Sequence, residues 1–343
     1  CVVQNQNGEK VLHGTARIIA PTQKISRPRL STPHIQIFDP EARFHALLEK
    51  TQSLEPVFCA VVHPCDKESL AGAVDSAIAG LIKPILIGPA KKILSTASAA
   101  AIDISPYELI DVPHSHAAAD KAADLAVERK VEMMMKGSLH TDELLHAILA
   151  RPQLRTGRRM SHVFRFDIPM YSKPLLVTDA ALNIHPTLME KVDIIQNAID
   201  FSVIMGVTNP KVAILSAVET VNPDIPSTIE AAALCKMAQR GQIKGGILDG
   251  PLAFDNAIST HAAQIKGIDS PVAGEADILN VPDLESGNML AKQLEYFAGA
   301  SGAGLVLGSK IPVALTSRAD SARTRVASAI LGLLVAHAHR QKS

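Results

Sequence analysis

Short apolar runs alternate with longer segments of helical periodicity from about residue 55 to the end of the chain. Each run ends near a Gly, Pro, Ser or Asp, and the segment that follows carries Ala and Leu at helical spacing. Such alternation is typical of βαβ units in mainly parallel sheets. The predicted strands are 57–62, 84–87, 108–112, 131–135, 162–166, 175–178, 211–216, 246–248, 277–280, 304–307 and 312–315.

The helical segments are predicted to cover both faces of these sheets, because buried parallel strands need cover on each side. They are 68–80, 117–129, 187–205, 227–240, 286–298 and 319–337. So many strands exceed the needs of one ordinary doubly wound sheet, and a polar break occurs at 169–173. We therefore expect two α/β domains, 35–170 plus 309–343 and 171–308, with a cleft between them.

The first residues have a different pattern. Residues 1–20 predict two short strands around Asn7-Gly8, a strong hairpin signal, and residues 21–40 contain four prolines with almost no periodicity. We expect a small hairpin and linker over 1–34. Because the chain starts at Cys1 without a signal-peptide pattern, we also expect it to be a piece of a longer protein.

Composition narrows the function classes. The 343 residues carry 34 basic and 34 acidic side chains and no Trp, so neither electrostatic attraction nor base stacking favours nucleic acid as a partner. The longest uncharged apolar stretch near the end is too short to cross a bilayer, so no membrane partner is expected. Four cysteines without a CxxC pair favour a reducing, cytoplasmic location.

The segment 311–325, IPVALTSRADSARTR, carries the clearest chemical signal. A strand is predicted to end at Thr316, and Ser317 with Asp320 fits a capping box that would need no further function. Arg318 favours a different interpretation, because a cation in the first turn opposes the helix dipole unless an anion binds there. Ser317 and Arg318 are therefore candidates for an anion site.

This segment resembles the closing motif of the phosphate acetyltransferase and phosphate butyryltransferase family. The segments 178–199, 214–219, 245–259 and 273–296 resemble family segments in the same order, so the similarity covers roughly residues 40–340. The resemblance implies reversible transfer of an acyl group between CoA and inorganic phosphate, on two α/β domains with the site between them. It also implies the architecture of isocitrate and isopropylmalate dehydrogenases.

The resemblance assigns Ser317 and Arg318 to transition-state stabilisation and phosphate binding, with Ser321 also near the substrate. A base must take the thiol proton of CoA, whose pKa is about 8.5 on the cysteine scale. The acetyltransferase branch has an acid where this chain has Thr324, and SRADSA looks more like the butyryltransferase branch. Asp320 is then the nearest carboxylate, and we expect Thr324 to be dispensable.

Three other parts of the sequence offer candidate substrate contacts. Arg159 belongs to a cluster of arginines between 151 and 165, which either binds the phosphates of CoA or forms a solvated basic face. His146 stands where the family usually has an Arg. Asp249 and Gly250 follow a strand, where ligand loops and simple turns are equally common.

No metal or cofactor is expected, since CoA is a substrate. His63, Cys59 and Cys65 lack a spaced fourth ligand for zinc. Dehydrogenases of the same fold class hold a metal with Asp-x-x-x-Asp. The Asp120 and Asp124 pair of that spacing falls in an Ala-rich helix, where a solvated face is the simpler interpretation.

Residues 6–18, QNGEKVLHGTARI, resemble the last strands of a MaoC-type hotdog enoyl-CoA hydratase, so the parent chain is expected to be a multifunctional fusion. The sequence as a whole predicts a cytoplasmic, homodimeric phosphate acyltransferase that acts on acyl-CoA and phosphate. Acetyl is the favoured group and butyryl the alternative. A non-catalytic acyl-CoA-binding module fused to a hydratase is the alternative of another class.

Overall fold

The computed structural model describes residues 1–15, 17, 39–316 and 320–342. Residues 1–38 and residues 39–343 form two separate compact units. The predicted linker lies outside the described residues for most of its length.

The first unit contains the predicted hairpin. Strands β1 (Val2–Gln4) and β2 (Lys10–His13) pair antiparallel, and every residue of both strands is exposed. The side chain of Asn5 organises the turn, because its Oδ1 accepts hydrogen bonds from the backbone N–H groups of Asn7 and Glu9, both at 3.0 Å. Gly8 supplies the positive φ of 79° that the turn requires.

The second unit is built on one eleven-stranded sheet with the order β10-β9-β11-β8-β7-β12-β13-β6-β3-β4-β5. Its strands are β3 (Val57–Val62), β4 (Ile82–Gly88), β5 (Glu108–Asp111), β6 (Met133–Lys136), β7 (Ser161–Asp167), β8 (Leu175–Thr178), β9 (Lys211–Leu215), β10 (Ile247–Leu252), β11 (Ile278–Asn280), β12 (Ser301–Leu307) and β13 (Val313–Ala314).

Eleven α-helices accompany the sheet among the described residues: α1 (Pro40–Glu49), α2 (Lys67–Ile78), α3 (Ala90–Ala100), α4 (Ser115–Val127), α5 (Thr141–Leu149), α6 (Leu188–Ile204), α7 (Pro226–Gln239), α8 (Phe254–Ile258), α9 (Thr260–Ile265), α10 (Leu284–Tyr296) and α11 (Ala322–Lys342). A 3-10 turn covers Pro152–Leu154. The α/β class and the mainly parallel pairing are therefore confirmed, while the boundaries of the two predicted domains stay a prediction.

Two strands near the middle reverse the direction of the sheet. β12 is antiparallel to both β13 and β7, and β7 is antiparallel to β8. All other pairs are parallel. The β13-to-β5 half therefore runs opposite to the β8-to-β10 half, and the carboxyl ends of the two halves lie at opposite edges.

Helix α11 anchors the first half of the sheet. Its Ile330, Leu331 and Leu333 are fully buried in the same apolar cluster as Met133 of β6 and Leu305 of β12. At about 25 cal/mol per Å² of buried apolar area, such complete burial makes this helix a major source of stability. The start of α11 is thereby fixed against the carboxyl ends of β6 and β13.

We expect deletion of residues 1–30 to leave the thermal stability of the remaining chain within about 2 °C of the parent protein. The reason is that the exposed hairpin belongs to a separate compact unit. Differential scanning calorimetry of both chains measures this. A fall of several degrees would identify the hairpin as a structural part of the larger unit.

Candidate active site

The carboxyl ends of β3, β6 and β13 meet at one edge of the sheet because these strands are parallel. His63 follows β3, Lys136 ends β6, and Thr316 lies just beyond β13. Ser317 and Arg318 come next and lie outside the described residues, whereas Asp320 is described. Both flanks of the predicted anion-binding turn are thus located at this edge.

Helix α11 begins later than predicted. The Oγ of Ser321 accepts a hydrogen bond from the Thr324 N–H at 3.2 Å, and the Ser321 carbonyl accepts one from the Arg325 N–H at 3.2 Å. Ser321 is therefore the N-cap of α11. The alternative of a capping box at Ser317 and Asp320 involves Ser317, which lies outside the described residues. A second hydroxyl supports this later cap, since Thr324 Oγ1 lies 3.2 Å from Ser321 Oγ.

This later start changes the argument for the anion site. Arg318 and Asp320 both precede a helix that begins at Ala322, so the inference from a cation in the first helical turn does not hold. The charged side chains near Thr316 are the remaining observation that favours an anion site here.

Two cationic side chains are buried near Thr316. Lys136 is 5% exposed and Arg325 is 2% exposed. Arg325 Nη1 donates to Thr316 Oγ1 at 2.8 Å and to the Lys136 carbonyl at 3.3 Å. Burial lowers the pKa of Arg325, and the nearby carboxylates of Asp66 and Asp320 act in the opposite direction. Positive charge in such a low-dielectric setting favours a bound anion.

The backbone just beyond β6 lies very close to the end of β3, and this contact holds the loop after Lys136 in place. Gly137 N–H donates to the Val62 carbonyl at 2.9 Å, and a Cβ at Gly137 would stand 2.5 Å from the carbonyl oxygens of Val62 and His63. His63 itself has a positive φ of 57°. Its Nδ1 donates to the Ser138 carbonyl at 3.0 Å. Only glycine fits at position 137.

A cavity of 550 Å³ opens beside this loop. Its lining includes Asp66, Glu68, Ser115, Ser138, His140 and Glu143. Asp66 is the N-cap of α2 and His140 precedes α5, so the amino ends of two helices border the cavity. Its volume is in the range of small-molecule sites.

A second cavity of 310 Å³ borders the start of α11 and includes Asp320, Thr324, Arg165 and Asp167 in its lining. Arg165 is 8% exposed and donates to both carboxylate oxygens of Asp167, at 2.5 and 3.2 Å. Arg43 Nη1 lies 3.7 Å from Asp167 Oδ1. Asp320 therefore faces a cavity with fixed, paired charges.

The other predicted substrate residues lie elsewhere. Arg159 precedes the amino end of β7, at the opposite edge, where its Nε donates to Asn183 Oδ1 at 2.7 Å. His146 is exposed near the end of α5. Asp249 and Gly250 lie in β10, with five strands between them and β13. Arg159 lies at the amino end of β7 rather than at a carboxyl end, and Asp249 belongs to the half of the sheet that runs in the opposite direction.

Most of the predicted arginine cluster makes contacts within the protein. Arg151 donates to Asp120 at 2.6 Å and to Asp124 at 2.8 Å, which joins α4 to the end of α5. Arg155 and Arg158 also have acceptors in the chain, the Leu149 carbonyl and Asp200. Arg165 alone of the five lines a cavity that also includes Asp320.

Cys59, His63 and Cys65, the candidate metal ligands, have different surroundings in the structure. Cys59 is fully buried in β3, whereas the ring of His63 binds the Ser138 carbonyl. Burial raises the pKa of the Cys65 thiol to about 11. Over the described parts of the chain, no group of three or more His, Cys, Asp or Glu is arranged to hold a metal ion.

Lys136 and Arg325 are not among the residues predicted from the sequence, and Arg165 is predicted only as one of five arginines that either bind the phosphates of CoA or form a solvated face. Lys136 ends the strand MMMK, so a cation that closes a fully apolar run was the available signal. Arg325 immediately precedes the apolar face of α11, and Arg165 interrupts the buried strand SHVFRFD. A charged residue within an apolar run is the shared pattern.

An open α/β sheet with buried cations and cavities at its strand ends is the arrangement of an enzyme that binds an anionic substrate. The family described as "Phosphate acetyl/butaryl transferase" matches residues 114–333. The chain belongs to this family of acyltransferases.

Individual relatives agree with that assignment. The chain is 57% identical over 300 residues to a phosphate acetyltransferase of Rhizobium meliloti, which covers 87% of this chain and 95% of the relative. It is 41% identical over 294 residues to a phosphate butyryltransferase of Clostridium acetobutylicum, with 85% and 98% covered.

A solved structure shares the fold. The branched-chain phosphotransacylase of Enterococcus faecalis V583 superposes with a TM-score of 0.72 at 28% identity, covering 82% of this chain and 99% of that protein. Among the described residues, no helix is both long enough and apolar enough to cross a membrane.

We expect Arg325→Met to lower activity at least tenfold and the melting temperature by several degrees. The variant keeps most of the side-chain volume but loses the bonds to Thr316 and Lys136, and bonds to charged groups contribute about 1.5–3 kcal/mol each. Steady-state kinetics and thermal denaturation measure the two effects.

Arg340→Met is the matched control, because Arg340 is in the same helix and its pair with Glu132 is exposed. Such surface pairs contribute about 0–1 kcal/mol, so the control should behave like the parent protein. Full activity in Arg325→Met would contradict the role given to this contact.

Proposed function

We propose that this chain transfers an acetyl group between CoA and inorganic phosphate. The observation that carries the proposal is a pair of buried cations, Lys136 and Arg325, of which Arg325 donates both to the Lys136 carbonyl and to Thr316, the residue before Ser317. The preference for acetyl follows the 57% identity to a phosphate acetyltransferase, against 41% to a butyryltransferase.

In the proposed reaction a phosphate oxygen attacks the thioester carbonyl of acetyl-CoA, the C–S bond breaks, and the electron pair leaves on sulfur as thiolate. Negative charge develops on the carbonyl oxygen during the attack and needs fixed donors. Ser317 and Arg318 are the proposed donors. Lys136 and Arg325 supply the positive potential that attracts phosphate to the turn.

In the reverse direction the CoA thiol attacks acetyl phosphate and must lose its proton. Asp320 is the proposed base, because it is the carboxylate nearest in sequence to Ser317 and Arg318 and it lines the 310 Å³ cavity at the start of α11. Thr324 has no carboxylate and cannot act as this base. Its hydroxyl lies 3.2 Å from the hydroxyl of Ser321, the N-cap of α11. The 550 Å³ cavity is the proposed place for part of CoA.

The reaction as written needs no metal, cofactor or covalent enzyme intermediate, and we propose that the chain uses none. We further propose a cytoplasmic homodimer. The cysteines Cys1, Cys59, Cys65 and Cys235 are all free thiols, which is compatible with a reducing compartment. Tyr296 and Phe297 are 73% and 90% exposed at the end of α10, and a second copy would cover such apolar surface.

The test is an assay of thiol release from acetyl-, propionyl- and butyryl-CoA in the presence of phosphate, after dialysis against a chelator. We expect the highest kcat/KM with acetyl-CoA and no loss of activity from the chelator. A higher value with butyryl-CoA would make the chain a butyryltransferase. Thiol release without phosphate dependence would contradict phosphate as the acceptor.

The same assay on Arg318→Ala tests the location of the chemistry. We expect a loss of about 100-fold or more, the size seen when a transition-state donor is removed, with an unchanged melting temperature. Arg340→Ala serves as the control at an exposed arginine. Activity of Arg318→Ala equal to that of the control would place the chemistry elsewhere.

A further inference from the structure

Leu315 connects β13 to the proposed catalytic turn, and its backbone is held on two sides. Its N–H donates to the Gly304 carbonyl at 3.2 Å. Its carbonyl lies 3.3 Å from Nε2 of His162, a residue of β7. A carbonyl can only accept, so Nε2 must carry the proton of this hydrogen bond.

The imidazole of His162 is held in place by its surroundings. The residue is fully buried, its backbone N–H donates to Asp179 Oδ2 at 3.2 Å, and its carbonyl accepts from Thr178 Oγ1 at 2.9 Å. The ring stands edge-on to Phe164, with 4.3 Å between the ring centroids. The donor is therefore fixed before substrate arrives.

Packing alone does not account for a histidine at this position. Within the described chain, Nδ1 of His162 is buried without a hydrogen-bond partner, which costs free energy that an apolar ring would avoid. Burial also lowers the pKa of His162, although Asp179 and Asp320 act in the opposite direction. The neutral ring with its proton on Nε2 matches the bond to Leu315.

The hydrogen bond between His162 and Leu315 requires a residue without a side chain at position 304. A Cβ on Gly304 would stand 2.7 Å from His162 Nε2 and 2.4 Å from the Leu315 oxygen. Any side chain there would push the donor and the acceptor apart. The hydrogen bond thus depends on a glycine in the neighbouring strand.

We propose that His162 is a positioning residue for acyl transfer, because its Nε2–H holds the Leu315 carbonyl, two residues before the proposed catalytic Ser317. Arg325 holds the next residue, Thr316, through its side chain. Together they fix two consecutive residues just before Ser317. This inference rests on the proposed function of that turn.

A double-mutant cycle between His162 and Ser317 tests the inference. His162→Leu removes the donor, whereas His162→Gln keeps an amide N–H of similar reach. Misplacement of a catalytic group by about 1 Å can cost about 100-fold. We expect a loss of that order in kcat for His162→Leu, with the KM for acetyl-CoA changed less than about threefold, and substantial recovery in His162→Gln.

In the Ser317→Ala background, His162→Leu should cost less than about threefold, because residues that act as a unit are strongly non-additive. Phe164→Leu is the control for disturbed packing against the ring, and it should keep kcat close to that of the parent protein. Thermal denaturation of every variant separates loss of fold from loss of positioning.

An equal cost of His162→Leu in both backgrounds would overturn the inference, as would a His162→Gln variant no better than His162→Leu. Full activity of Ser317→Ala would instead overturn the proposed function of the turn, and the inference with it. If His162→Leu does not fold, His162→Asn replaces it, since its shorter amide cannot reach Leu315; an Asn variant as active as Gln would overturn the inference.

Discussion

The hydrogen bonds of the buried Arg325 guanidinium link three elements that are far apart in sequence. Nη1 joins the end of β6, through the Lys136 carbonyl, to the residue after β13, through Thr316 Oγ1. Arg325 itself lies in the first turn of α11, which is packed firmly into the core. The position of Thr316, the residue before Ser317, therefore depends on the hydrogen bonds of this one cation.

The direction of the strands decides what can surround that turn. Because β12 and β7 reverse the sheet, the carboxyl ends of β3, β6 and β13 share one edge, while those of β8, β9 and β11 share the other. The cationic side chains of Lys136 and Arg325, from the half that contains β13, therefore lie at the same edge of the sheet.

The alternation of apolar runs and helical segments was enough to locate every strand of the large sheet; 57–62 and 175–178 match the observed strands at both ends. It could not reveal the antiparallel course of β7 and β12, because pairing direction leaves no mark on local periodicity. For the same reason periodicity alone cannot show that Asp249 lies in the half of the sheet that runs opposite to β13. Burial of Lys136 and Arg325 depends on tertiary packing, which composition does not show.

The central claim is that an anion binds at the turn between Thr316 and Asp320, beside Lys136 and Arg325. Crystals of the protein soaked in phosphate test it most directly. The account predicts phosphate density within hydrogen-bonding distance of Ser317 or Arg318, lost in crystals of Arg318→Ala. Phosphate that occupies other surface sites at high occupancy and leaves this turn empty would contradict it.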